Sequence, residues 1–128
     1  MEKIKEQYFN KNEIICKYEI NDIENEIFLF FHKSDEDWII QNEEIDKYIE
    51  VYLNEEKLES GNKFKAEKPG IYTFKLKFLQ PLKTLRRLFA DCLELIHVDL
   101  TNFKSDNLKD ISFLFYNCKN LKEIKGLE

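Results

Sequence analysis

The sequence predicts an α+β fold in which a β-rich N-terminal domain, residues 1–80, runs directly into two 26-residue repeats over residues 81–128. Three observations predict it. Residues 71–78 alternate apolar and polar side chains at strand period, and residues 12–20 are rich in β-branched and aromatic side chains. From Leu85 onward the chain maps onto itself at a shift of 26. Of 128 residues 43% are hydrophobic, including eleven Phe and six Tyr, which is enough to fill a core although 35% are charged. Three Gly and two Pro are too few for a turn-rich sandwich of many short strands or for a flexible linker.

The first ten residues are polar and read as an arm or short helix. Residues 12–20 (NEIICKYEI) form a strand, Asn21-Asp22 a turn, and residues 26–31 (EIFLFF) a second strand, so the two are expected to pair as a hairpin. Ser34-Asp35 caps a short helix whose first turn carries Glu36 and Asp37, where the helix dipole favours negative charge. Trp38, Ile45, Tyr48 and Ile49 recur near helical spacing behind it. Ile49, Val51 and Leu53 then alternate with Glu50 and Tyr52 as a third strand, closed by a turn at Asn54-Glu55-Glu56 before Leu58. Phe64 falls in a short strand. Pro69-Gly70 turns the chain into the strand 71–78, with Phe74, Leu76 and Phe78 on one face against Thr73, Lys75 and Lys77.

Strand, strand, helix, strand, short strand, strand is the order of the β-grasp fold. The stretch IEVYLNEEKLESGNKFKAEKPGIYTFKLKF also resembles the second half of ubiquitin-like domains. A small sandwich-like β domain of other topology accounts for the same strands.

In the repeats, Leu85, Leu88, Phe89, Asp91, Cys92, Leu95 and Val98 fall on Ile111, Leu114, Phe115, Asn117, Cys118, Leu121 and Ile124. Each unit reads as a helix, then Asp/Asn-Cys, then a strand carrying L-x-x-[VI]. Leu95, Val98 and Leu100 are placed inward, and Ile96, His97 and Asp99 outward. The segments LFADCLELIHVDLTNF and ISFLFYNCKNLKEIKGL resemble the BspA-like leucine-rich repeat family, with Leu88 and Leu114 where that family's unit usually has methionine. The preceding segment is similar to the N-terminal region found before such repeats in some protist proteins, through its NEIIC strand, an LF-x-H-like stretch and an I-x-V-Y-L-N strand. The resemblance implies a solenoid, protein recognition or adhesion, and no chemistry. One repeat cannot bury its own apolar face, so the N-terminal domain is expected to cover the first. The second leaves Phe113, Leu121, Ile124 and Leu127 to be covered by further repeats or another chain, and self-association is expected there.

The formal net charge is −5, Lys and Glu are interspersed, and Arg86-Arg87 is the one dibasic pair. A nucleic-acid or anionic-membrane partner needs a basic stripe, so neither is expected. No secretory or membrane-spanning run is found, and an odd count of three cysteines fits free thiols in a reducing, cytoplasmic setting. No C-x-x-C or H-x-x-x-H spacing suggests zinc. The run Asp35-Glu36-Asp37 lacks the Gly and Glu of a calcium loop. No spacing brings Cys16 or Cys92 toward His32 or His97 as a nucleophile pair. The expectation is a non-enzymatic protein-interaction or scaffold module without cofactor. Its partner-binding polar residues would be the outward strand residues His97, Asp99, Glu123 and Lys125. A ubiquitin-like adaptor acting through the N-terminal domain, or a surface adhesion protein, is the alternative.

Overall fold

A computed structural model describes residues 11–31 and 47–126. The expected N-terminal arm, the helix begun at Ser34-Asp35, and the residues His32, Trp38, Ile45 and Leu127 lie outside them. Among the described residues there are eight strands: β1 (Glu13–Ile20), β2 (Ile27–Phe28), β3 (Ile49–Leu53), β4 (Glu56–Lys57), β5 (Lys63–Phe64), β6 (Gly70–Phe78), β7 (Leu95–Asp99) and β8 (Glu123–Lys125). Six of them form one mixed sheet in the order β4-β3-β6-β1-β7-β8, and β2 pairs with β5 apart from it. All pairs are antiparallel except β7-β8.

The α+β expectation is therefore overturned: the fold is β-rich, with no helix among the described residues. Nor do residues 12–20 and 26–31 form a hairpin. β1 is central, held by β6 on one side and β7 on the other, while β2 is claimed by β5, so the β-grasp order is absent. The reason is burial. Ile27, Leu29, Phe30 and Phe31 are all buried, and a segment apolar at consecutive positions packs under the sheet better than it forms an edge with a wet face.

β1 and β6 pair over eight residues, which places Ile14, Cys16, Tyr18 and Ile20 on the same face as Phe74, Leu76 and Phe78. That face is the core. Tyr18 packs edge-on against Phe74, with ring centroids 5.5 Å apart, and its hydroxyl donates to the buried Leu29 carbonyl. β3 and β4 are joined by Asn54-Glu55 with φ of 52° and 69°, the two positive values that match a two-residue turn to strand twist. β7 carries one extra residue against β1: Lys17 faces His97 and Tyr18 faces Leu95, leaving Ile96 unpaired. This bulge lets Leu95 and Val98, three apart, both face inward.

The segments expected to be repeat helices, 85–92 and 111–118, are runs of tight turns. The amides of Leu88, Ala90 and Cys92 donate three residues back to Leu85, Arg87 and Phe89, and those of Leu114, Tyr116 and Cys118 to Ile111, Phe113 and Phe115. Arg87 (φ 58°), Asp91 (63°), Phe113 (57°) and Asn117 (59°) are left-handed, which interrupts any right-handed helical run. The intervening amides point along the stack: Leu85, Arg87, Phe89 and Asp91 donate to the carbonyls of Asp110, Ser112, Leu114 and Tyr116 at 2.8–3.1 Å. An α-helix would use all these donors internally and leave none to join the two layers.

Candidate functional site

The two 26-residue units lie in register. His97, Val98 and Asp99 pair with Glu123, Ile124 and Lys125, each exactly opposite its counterpart 26 residues on. Phe89 and Phe115 stack with an interplanar angle of 4° and centroids 5.8 Å apart, and the Asn117 side chain donates to the Asp91 carboxylate at 2.8 Å. The Cys118 thiol donates to the Phe89 carbonyl at 3.0 Å, and that of Cys92 to the Leu29 carbonyl at 3.5 Å. Arg86 and Arg87, the dibasic pair, lie over the Phe113 ring at 5.2 and 5.4 Å.

The four residues expected to bind a partner come together on the open face of the sheet. His97 and Asp99 project from β7 beside Glu123 and Lys125 of β8, and His97 Nδ1 is 2.7 Å from Glu123 Oε1. The Asp99 carboxylate accepts from Thr101, whose hydroxyl and backbone N–H hold the carboxyl below its usual range; the N–H lies 2.9 Å away.

Register carries this patch across the whole sheet. One row runs Lys57, Tyr52, Lys75, Ile15, Asp99, Lys125, crossing all six strands from β4 to β8. A second joins Thr73, Lys17, His97 and Glu123. The Lys75 ammonium lies 5.2 Å from the Tyr52 ring centroid, and Lys57 pairs with Glu50 at 3.1 Å. The Lys57 ammonium and the Tyr52 hydroxyl both hold the Glu50 carboxyl below its ordinary range. Between β3, β6 and β1 the surface dips into a hollow of about 220 Å³, walled by Ile15, Tyr52, Thr73 and Lys75 and by Asn54 and Glu55 of the turn. Sequence reading missed Lys17, Lys75, Tyr52 and Ile15 as members of this face. Their alternation was visible, but only strand register sets them beside His97 and Asp99.

Chemically the face offers charges, hydrogen-bond donors and one aromatic ring. Burial pushes the Cys16 and Cys92 thiols well up from their ordinary range, and Cys118 to about 11. Cys16 points into the core, whereas His97 projects from the opposite face, since neighbouring pairs in one ladder alternate sides. Among the described residues no group of three or more His, Cys, Asp or Glu is placed to hold a metal ion, and no helix is long and apolar enough to cross a membrane. No family model, curated protein or solved structure matches the chain.

Proposed function

We propose that this chain is a non-catalytic protein-interaction or scaffold module that engages a protein partner through the open face of its six-stranded sheet. The observation that carries the reading is the cross-sheet row from Lys57 to Lys125, continuous with the His97–Glu123 pair. Such a surface has a half-buried aromatic at Tyr52, a shallow hollow beside it and alternating charges around it, the composition that gives orientation and selectivity to protein contacts. The buried Cys16 thiol, on the far side of the sheet from His97, and the buried Cys92 thiol, both with raised pKa values, fit a binding role better than nucleophilic catalysis. We further read residues 81–128 as two leucine-rich repeats of BspA-like type, supported by the 26-residue register of β7 on β8 and of Phe89 on Phe115.

The test is partner capture by the intact chain and by a variant with His97, Asp99, Glu123 and Lys125 all changed to Ala. Capture is expected to fall at least tenfold. Because these groups lie on the solvent face, each change should shift stability by no more than about 1 kcal/mol, the loss of the Asp99–Thr101 bond being the largest. Undiminished capture by a folded variant would remove the sheet face from the interaction.

A further inference from the structure

On the open sheet face three carboxylates are already engaged by groups of this chain. Glu50 is held by Lys57 and Tyr52, Glu123 by His97, and Asp99 by Thr101. Lys77 stands between Glu13 and Glu50 in the ladder, and Lys125 stands beside Asp99. Lys17 and Lys75 differ. Lys17 faces Thr73 and His97, and Lys75 faces Ile15 and Tyr52, so neither has an acidic residue directly across either ladder. Among the described residues no carboxylate lies within ion-pair distance of either ammonium. Glu19, two residues along β1, and Glu55, on the wall of the hollow, flank the pair without reaching it. The chain as a whole carries a net charge of −5, so two unanswered cations at the middle of this face run against its average.

We propose that the partner of this face is an extended, acidic polypeptide segment whose carboxylates meet Lys17 and Lys75 and whose neighbouring apolar side chain enters the hollow beside Tyr52. The proposal rests on the reading of the open face as the binding surface and specifies what that surface takes. Spacing supports it first. Lys75 and Lys17 are diagonal neighbours on paired strands, about 7–8 Å apart, and alternate side chains of an extended chain repeat at about 7 Å. One such segment sets a carboxylate over each. Size comes second. The hollow of about 220 Å³ falls below the roughly 300–1,000 Å³ of small-molecule pockets and suits a single side chain, with Ile15, Thr73 and the half-buried Tyr52 ring as its wall. Preorganisation is third. The Lys75 ammonium lies over the Tyr52 ring, 5.2 Å from its centroid, so less side-chain freedom is lost when a carboxylate arrives. A basic segment would set its cations against Lys17 and Lys75 while Glu50, Asp99 and Glu123 are already occupied. A polynucleotide is held by a run of phosphate contacts, which the carboxylates interleaved on this face would oppose. Glu55 sets direction, since its charge turns the acidic part of the segment away from the β3-β4 turn and toward β1.

The test uses the intact chain as bait for a displayed library of random peptides. Enriched peptides are expected to carry Asp or Glu at alternate positions next to an aromatic or branched apolar residue. The most enriched peptide is then titrated into the intact chain, its affinity measured and its footprint read from backbone amide shifts. The double change K17E/K75E, confined to the solvent face, should weaken binding at least tenfold. Glu55→Gln removes the flanking negative charge and should tighten binding by about two- to fivefold. A variant that merely misfolded would not bind more tightly. Peptides without acidic bias, no enrichment at all, or equal binding to K17E/K75E would overturn the proposal. So would displacement of the peptide by oligothymidylate of equal charge, which would make phosphate the ligand. In any of these cases where a peptide binds, a footprint on β1, β6 and β7 leaves the open-face reading standing, whereas a footprint elsewhere removes that reading as well.

Discussion

Raising the pH above about 9 should destabilise this protein through its buried thiols. Cys16 and Cys92 are fully buried, Cys16 on the core face of β1 and Cys92 against the Leu29 carbonyl. Burial raises both folded pKa values above the ordinary thiol value of 9.0. In the unfolded chain they ionise near that ordinary value. Above it the unfolded state has released protons that the folded state still holds, so stability is fully present below about pH 9 and falls as pH rises through the folded values. Each fully protected thiol costs about 1.4 kcal/mol for the first pH unit above its unfolded value. Two therefore remove about 3 kcal/mol by pH 10, a large share of the roughly 5–15 kcal/mol that holds a domain of this kind. Cys118 is only half-buried and adds less. Tyr18, raised first by burial and then by the neighbouring thiols, acts in the same direction from about pH 10 upward. Urea denaturation midpoints measured under reducing conditions between pH 7.5 and 10 would show the loss. The decisive comparison is with the C16A/C92A double variant. It retains every lysine and tyrosine, so its stability should fall by about 3 kcal/mol less over the same range. Parallel pH profiles for the two proteins would refute the assignment of these thiols to a dry, protonated core.

Two further substitutions test the joints of the fold. Tyr18→Phe removes the hydroxyl donor of the buried Leu29 carbonyl, to which the Cys92 thiol still donates, and should cost about 0.5–1.5 kcal/mol by equilibrium denaturation; a cost near zero would mean the bond contributes nothing net. Gly126→Ala adds a Cβ that would lie 2.6 Å from the Thr101 backbone nitrogen at a φ of 81°, so a loss of at least about 1–2 kcal/mol is expected, with the β7-β8 amides exchanging faster; wild-type stability would disprove the close approach of the two units at this point.

What could be read from the sequence was what local periodicity controls. Alternation placed β3 and β6, with Phe74, Leu76 and Phe78 inward, and β-branched and aromatic content placed β1, because both signals depend on neighbouring residues alone. Pairing depends on distant ones. Nothing near residues 12–20 says that they prefer Ile71 and His97 to the EIFLFF segment that begins six residues later, so the expected hairpin gave way to a central β1. The repeat helices were misread for a different reason. Leu85, Leu88, Phe89 and Cys92 stand at spacings of three, four and seven, the apolar stripe of a helix. Successive turns closed by bonds three residues back bury the same four side chains. A signal against the helix was available at Asp91 and Asn117, polar residues that adopt left-handed backbone readily and sit at the same place in both units. The partner-binding candidates were legible as outward positions on two strands. Their continuation through Lys17, Lys75 and Tyr52 was not, since it exists only once six strands are laid in register.

The position of β7 explains how the closure of the first unit and the open sheet face arise together. On one side β7 pairs antiparallel with β1; on the other it pairs parallel with β8. The antiparallel side closes the first unit with a strand from elsewhere in the chain, and Phe31, just after β2, adds to that closure. There Phe31, at a φ of 49°, donates to Leu88 as Phe89 donates to Leu114. One residue of the N-terminal part thus takes the place that a preceding unit would fill, 26 residues being the separation of Leu88 from Leu114. The bonds between the two units run both ways: Phe89 donates forward to Leu114, while Lys109 and Lys122 donate back to Lys83 and Ile96. The sheet that provides the cap also lays its polar face open to solvent, so closing one end of the stack and presenting a broad binding face are consequences of the same strand pairing.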